Sequence, residues 1–196
     1  KKFLNPIESK AVVGTSGSTF SFANAYQSDV AGVEIEFKKS FTTAKNYFIQ
    51  HLGLMANASY IYSKVNLGKE NVGQSDNRPL QGQSPYSINA GIFFEDKELG
   101  LQANLLYNVI GKRIAFVGTD DNPDIYEMSR HILDFNIQYR FKKNVELSLS
   151  ANDLINQPIL FLQDGNRDKK WNRNSDQVFQ KYQPGQTISL GVKYNF

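Results

Sequence analysis

The chain is built on one repeated pattern: stretches of about ten residues in which apolar and polar side chains alternate with a period of two. The last eleven residues, Q-T-I-S-L-G-V-K-Y-N-F, show it most plainly. Ile188, Leu190, Val192, Tyr194 and Phe196 fall on one face, and Thr187, Ser189, Gly191, Lys193 and Asn195 on the other. Such alternation predicts a β-strand with one apolar and one polar face. The same pattern predicts strands over 86–94 (Tyr86, Ile88, Ala90, Ile92, Phe94), 99–109 (Leu101, Ala103, Leu105, Tyr107, Val109), 133–141 (Leu133, Phe135, Ile137, Tyr139, Phe141) and 145–151 (Val145, Leu147, Leu149, Ala151). Nearer the start it predicts a strand from Tyr47 to about Lys64, carrying Phe48, Leu52, Leu54, Ala56, Ala58, Tyr60 and Tyr62. One long strand is expected from Phe20 to Phe41, with Ala31, Val33, Ile35 and Phe37 on its apolar face. Phe20 and Phe22 have the opposite parity, so a bulge or bend must precede Ala31. Phe3 to Glu8 reads as a short strand end, and the Gly/Ser/Thr-rich Ser9 to Thr19 as a loop.

The connections between these strands alternate in length. Short turns are expected at 42–46, 95–98 and 142–144, and long connections at 65–85, 111–130 and 153–185. In an up-and-down meander every second connection lies on the same side, so all short turns share one end and all long loops the other. Outer-membrane barrels have this asymmetry. A soluble sandwich has no physical reason to sort its loops, and its turns recur every 8–12 residues or so. Nine to eleven residues at roughly 3.3 Å each, tilted about 45°, also match an apolar band about 25 Å tall. The apolar faces would then meet lipid and the polar faces a wet lumen, with Phe196 at the short-turn, periplasmic rim. The fold class is therefore all-β: antiparallel up-and-down strands of a transmembrane barrel, about eight in number.

Composition narrows this further. Hydrophobic content is 40%, low for a large dry core and natural for strands polar at alternate positions. Aromatics comprise fourteen Phe and ten Tyr but one Trp, a usage that suits interfacial girdles. There is no cysteine, which excludes disulfides and Cys-based metal sites. No run of eighteen apolar residues offers a transmembrane helix. The net charge of +3, with basic residues spread over turns and loops, argues against a nucleic-acid partner. The chain opens Lys1-Lys2-Phe3 without a secretory pattern, as a mature product, a fragment or an unexported chain would.

Several stretches resemble one family. N-P-I-E (5–8), G-V-E-I-E-F (32–37), N-R-P-L-Q-G-Q-S-P-Y (77–86), L-L-Y-N-V-I-G-K-R-I (105–114), L-S-A-N-D-L-I-N-Q-P (149–158) and Y-Q-P-G-Q-T-I-S-L-G-V-K-Y-N-F (182–196) resemble the C-terminal barrel region of TonB-dependent outer-membrane receptors, in the flavour of the Bacteroidetes branch. The resemblance implies location in the bacterial outer membrane and a barrel of about 22 strands around a plug. It also implies contact with TonB through an N-terminal part missing from these residues, and a small nutrient ligand. On this reading residues 1–196 are the C-terminal part of the barrel and the plug is absent from them. The final strand, with Ile188, Leu190, Val192, Tyr194 and Phe196, resembles the signal recognised in barrel assembly. A complete eight-stranded barrel competes with this. So does an accessory or structural barrel subunit with envelope protein partners, and so does a soluble β-domain. The inward faces bear on the choice: Gly53, Ser59, Gly91, Ser148, Ser150, Ser189 and Gly191 are small, which suits a wide lumen better than a narrow one.

Candidate chemistry is sparse. Asp164, Asn166 and Asp168 form a D-x-N-x-D opening like that of a calcium loop, but Lys169 and Ser175 stand where such a loop needs Gly and Glu. A solvated loop is the expectation. Asp120, Asp121, Asp124 and Glu127 make an acidic extracellular loop that could draw a cation or a partner, or be simply solvated. His51 and His131 lie far apart and read as interface or lumen residues. No catalytic constellation occurs, so neither enzymatic activity nor a cofactor is expected. Asp153 would face lipid if the strand before it continued, so a bulge or strand end is expected at Asn152–Asp153.

Overall fold

The computed structural model describes residues 1–68, 78–119, 121–141, 144–168 and 170–196. Fourteen strands and one helical turn occur among them: β1 (Lys2–Leu4), β2 (Ile7–Gly14), β3 (Gly17–Asn24), β4 (Gln27–Ser40), α1 (Tyr47–Gln50), β5 (Leu52–Asn66), β6 (Tyr86–Asp96), β7 (Leu101–Ile110), β8 (Arg113–Phe116), β9 (Ile125–Glu127), β10 (Arg130–Phe141), β11 (Val145–Asn152), β12 (Ile159–Gln163), β13 (Gln177–Tyr182) and β14 (Thr187–Tyr194). Eight of them form one antiparallel sheet in the order β1-β4-β5-β6-β7-β10-β11-β14. This wall is an open sheet whose edges are β1 and β14.

Every apolar row expected from the sequence is in register across the wall. Ile35 lies opposite Ala58, Ala58 opposite Ile88, and Ile88 opposite Val109. Leu105 lies between Ile92 and Phe135, Leu147 between Tyr139 and Val192, and Leu149 between Ile137 and Leu190. A slip of one residue anywhere would have put one strand's apolar set among its neighbours' polar ones. The apolar face is uncovered: Ile35, Tyr60, Ile92, Leu147 and Leu190 are all exposed. A water-facing apolar sheet of this extent is far outside what soluble proteins carry. The opposite face is polar, and a side-chain ladder crosses it. Asn57 donates to Glu34, Asn89 donates to Asn57 Oδ1 at 3.4 Å, and Asn108 donates to Asn89 Oδ1 at 2.6 Å.

The inner end of the wall differs from expectation at one place. The strand does not begin at Tyr47. Asn46 Oδ1 accepts from the amides of Phe48 (2.9 Å) and Ile49 (3.2 Å), capping α1, and β5 begins at Leu52. Phe48 packs on lipid-facing Phe94 at 6.3 Å, so this helical turn continues the aromatic rim and mimics strand parity. Asp96, almost wholly buried, holds the next inner turn. Its Oδ1 accepts from Glu98 N and Leu99 N, and Tyr47 OH donates to its other oxygen. The 142–144 turn falls mostly outside the described residues.

The inward glycines also differ from a simple opening of the lumen. A Cβ on Gly91 would sit 3.2 Å from the ring of Phe93 and 3.0 Å from Leu106, and one on Gly53 would sit 3.6 Å from Phe93. These glycines make room for an inward aromatic that strict alternation did not anticipate.

The outer end holds more structure than the loops read from sequence. Ser9–Thr19 is not a loop, and Phe20–Phe41 is not one strand. β2 and β3 form a hairpin, paired from Ile7↔Asn24 to Gly14↔Gly17, and the chain turns at Ala25–Tyr26 into β4. That turn accounts for the parity change between Phe22 and Ala31. The connection after β7 contains β8 and β9, and the one after β11 contains β12 and β13. These four make a second sheet, β13-β12-β9-β8. The side chains with the least exposure among apolar residues (Ala11, Ala25, Val65, Leu67, Val109, Ile114, Val117, Ile125 and Leu162) all lie at this end. The wall therefore faces two media, and among the described residues the conventional core belongs to an outer cap.

Candidate functional site

The cap joins all four outer connections. β2 continues the small sheet through an isolated parallel bridge, Lys10↔Val117. Ala11 N donates to Val117 O at 3.0 Å, and Val117 N donates to Ser9 O at 2.9 Å. The strands thus run β3, β2, β8, β9, β12, β13. Across this array β8 and β13 are three inter-strand steps apart, about 14 Å along a flat sheet. Their side chains nevertheless meet, with Phe116 and Phe179 centroids 6.2 Å apart. Phe20 of β3 joins them at 5.2 Å from Phe116 and 6.5 Å from Phe179. Only a strongly curled sheet brings these rings together, and they lie on its concave face. Phe20 is 55% exposed, so the cluster is open to a ligand as well as self-packed.

A second aromatic group lies further along the cap. Tyr126 of β9 packs on Trp171 at 4.5 Å, and Lys112 Nζ sits 3.2 Å above the Trp171 ring and 5.8 Å from Tyr126. Desolvation pushes the Lys112 ammonium down from its ordinary range, against the opposing pull of Asp164. Burial pushes the Tyr126 phenol up, reinforced by Asp124. Sequence inspection did not group Lys112, Tyr126 and Trp171, or the three phenylalanines, because each group draws on more than one outer connection.

The acidic loop is largely committed to the cap's own structure. Asp124 Oδ1 accepts from Gly118 N at 2.9 Å, and burial raises its carboxyl above the ordinary aspartate range. Glu127 pairs with Arg113, Nε to Oε2 at 2.8 Å. Asp121 offers its carbonyl to Arg167 at 3.3 Å, and Asp120 lies outside the described residues. The calcium-like loop turns its oxygens onto its own backbone. Asp168 N donates to Asp164 Oδ1 (3.2 Å) and Asn166 Oδ1 (3.0 Å), and Asp168 Oδ1 accepts from Lys170 N (2.7 Å). The bonds from Asn166 and Asp168, each to the amide two residues on, are Asx turns. Among the described residues, no three His, Cys, Asp or Glu side chains gather where a cation could be held.

The two histidines serve opposite rims. His131 Nδ1 lies 2.6 Å from Tyr107 OH on the outer part of the apolar face. His51 stacks at the inner rim between Tyr47 (4.8 Å) and Phe94 (5.7 Å). β11 ends at Asn152, as the break in parity required. Asp153 takes a left-handed conformation (φ 57°), accepts an ion pair from Arg130, and donates its amide to Asp134 Oδ1 at 2.8 Å. Gln157 completes this turn by accepting from His131 N at 2.8 Å.

The family model described as TonB dependent receptor-like, beta-barrel, matches residues 1–154. The chain belongs to the TonB-dependent receptor β-barrel family. It is thus a β-barrel wall of the bacterial outer membrane. Solved structures share the fold. One is a copper transporter, OprC, at 18% identity and TM-score 0.59, covering 100% of this chain and 27% of that one. Another is the ferric yersiniabactin uptake receptor FyuA from Yersinia pestis, at 17% identity and TM-score 0.59, covering 90% of this chain and 25% of that one. A third is the outer membrane transporter YddB from Escherichia coli, at 13% identity and TM-score 0.58, covering 100% of this chain and 29% of that one. The chain spans between 25% and 29% of the length of these three. No curated protein matches the sequence.

Proposed function

We propose that these residues form the C-terminal wall and outer cap of a receptor that captures a scarce small nutrient and imports it in a TonB-driven step. The observation that carries this reading is the cap. Three outer connections are folded into one curled sheet that presents Phe20, Phe116 and Phe179 on its concave face, and the fourth, after β5, is bonded to it. Loops that served only to join strands would not need a core of their own.

The open wall supports membership in a larger barrel of about 22 strands, the size that takes a plugged lumen. Each unpaired amide or carbonyl along β14 would cost several kcal/mol in lipid. The edge therefore pairs with a further strand, and Ile188, Leu190, Val192, Tyr194 and Phe196 act as the assembly signal. On this reading the plug and the TonB contact belong to other parts of the polypeptide.

The test is deletion of the full-length gene, followed by growth on limiting iron, copper, vitamin and oligosaccharide sources. The same growth panel is then run on a strain carrying the triple variant Phe20→Ala, Phe116→Ala and Phe179→Ala. The expected result is a defect on one source, reproduced by the triple variant while the barrel still assembles. No defect on any source, together with co-purification in fixed stoichiometry with other envelope proteins, would sink the proposal in favour of an accessory barrel subunit.

A further inference from the structure

The cap is fastened by one buried ion pair. Glu8, the second residue of β2, is 2% exposed, and Arg78, in the connection after β5, is 5% exposed. Arg78 Nη1 donates to Glu8 Oε1 at 2.8 Å and Nη2 to Oε2 at 2.6 Å, a bidentate fit across 70 positions of sequence. The backbone of Arg78 is tied to the wall, since Val65 N donates to its carbonyl at 3.1 Å. Beside it Gln81 makes a three-way clamp. Its Oε1 accepts from Ser9 N at 2.6 Å, and its Nε2 donates to Ser9 O at 3.1 Å and to Ala115 O at 2.6 Å. One charged pair and one amide thus join three outer connections, and the fourth is joined through β9–β12 pairing.

We propose that Glu8–Arg78 is the latch of the outer cap: while it is closed, the β2–β3 hairpin and segment 78–85 form one body, and its release lets both open together, loosening only the outer end of β5, where Val65 N and Ile61 N donate to Arg78 O and Pro85 O, and leaving the strands β6, β7 and β10 in place. Two features make this pair a switch. The hairpin it holds is no member of the eight-stranded sheet, so releasing it breaks no ladder bond of the wall. A buried ion pair also has two favourable states and a poor intermediate. Closed, each charge is neutralised; fully opened, both are rehydrated; half-opened, a charge is buried alone at high cost. The hairpin carries Phe20, so the latch also sets where one wall of the aromatic cluster stands.

The experiment is hydrogen–deuterium exchange read by mass spectrometry, on the full-length protein in detergent micelles and without ligand. It compares the parent with Arg78→Met, Glu8→Gln and the double variant. Each single variant is expected to raise exchange about tenfold or more in both 7–24 and 78–85, because each leaves the closed pair broken. The strands β6, β7 and β10 should be unchanged. The double variant, which leaves neither Glu8 nor Arg78 as a lone charge, should regain most of the protection. Glu8→Gln keeps the size of the side chain and decides the matter if Arg78→Met fails to assemble. Three results overturn the proposal: no change in either segment, faster exchange in only one of them, or loss of protection spreading into β6, β7 and β10.

Discussion

A single arginine placed on the wall tests the assignment of its two faces. Leu105 is the fifth residue of β7, which spans ten residues from Leu101 to Ile110. At about 3.4 Å per residue and a tilt near 45°, it lies about 10 Å above the inner end of the strand, close to the middle of an apolar band about 25 Å tall. Its cross-strand partners are Ile92 and Phe135, both on the apolar face. Leu105→Arg should therefore cost roughly 2–4 kcal/mol, the penalty for a cation at the bilayer midplane. Leu101→Arg, on the same face but at the inner rim, should cost only about 0–1 kcal/mol. Asn104→Arg lies one residue away from Leu105 and points the other way, between Phe93 and Asn136 on the wet face, so it pays no lipid penalty. The assay is the midpoint of urea unfolding of the full-length protein in lipid vesicles. The reasoning is refuted if Asn104→Arg destabilises as much as Leu105→Arg, or if Leu105→Arg is neutral.

Three further outcomes follow from particular contacts. Gly100 has φ 68°, and a Cβ there would lie 2.7 Å from the Arg140 carbonyl, so Gly100→Ala should lower the same urea midpoint by about 1 kcal/mol or more. Arg130→Met leaves Asp153 without its cation and the Gln157 carbonyl without its donor; about 1.5–3 kcal/mol of local stability should go, seen as faster amide exchange over 152–158. Asp124 has its carboxyl raised chiefly by burial, so its contribution to cap stability is complete below the ordinary aspartate value of about 4 and fades as pH rises through the raised one. Asp124→Asn should remove that loss. Followed by amide exchange over 113–127, the cap of the variant should outlast the parent at neutral pH, and the gap should close in acid.

The wall was legible because two media act on it directly. Lipid and water select side chains position by position, so the parity read from Val33, Ile92, Phe135 or Leu190 is the parity of the folded sheet. Where only one medium acts, the pattern fades. The β2–β3 hairpin lies outside the eight-stranded wall, so Gly, Ser and Thr could occupy it and disguise it as a loop. The helical turn at Tyr47 went unread for the opposite reason. Its aromatics serve the same interfacial rim as the strand ends, and Phe48 stacks where a strand residue would. Phe93 broke the alternation from inside, accommodated by Gly53 and Gly91, and only the folded wall relates those three positions.

The cap was invisible to periodicity but had left a trace in the sequence. Most of the fragments that resemble receptor barrels reach beyond the alternating strands into the outer connections. N-P-I-E contains Glu8, N-R-P-L-Q-G-Q-S-P-Y contains Arg78 and Gln81, L-L-Y-N-V-I-G-K-R-I contains Lys112 and Ile114, and L-S-A-N-D-L-I-N-Q-P contains Asp153 and Gln157. Folded, these fragments meet at the outer end as the ion pair, the amide clamp, the cation over Trp171 and the turn after β11. The physics of the two regions explains the difference. A lipid-facing position accepts any apolar residue of suitable size, so its pattern is readable while its identities are free. A bidentate ion pair or a three-way amide clamp accepts one side chain on each side, so its identities are fixed while its pattern carries no period. A sequence read by alternation yields the wall; read for residues that only one geometry can use, it points to the cap, where a ligand arriving from outside would first make contact.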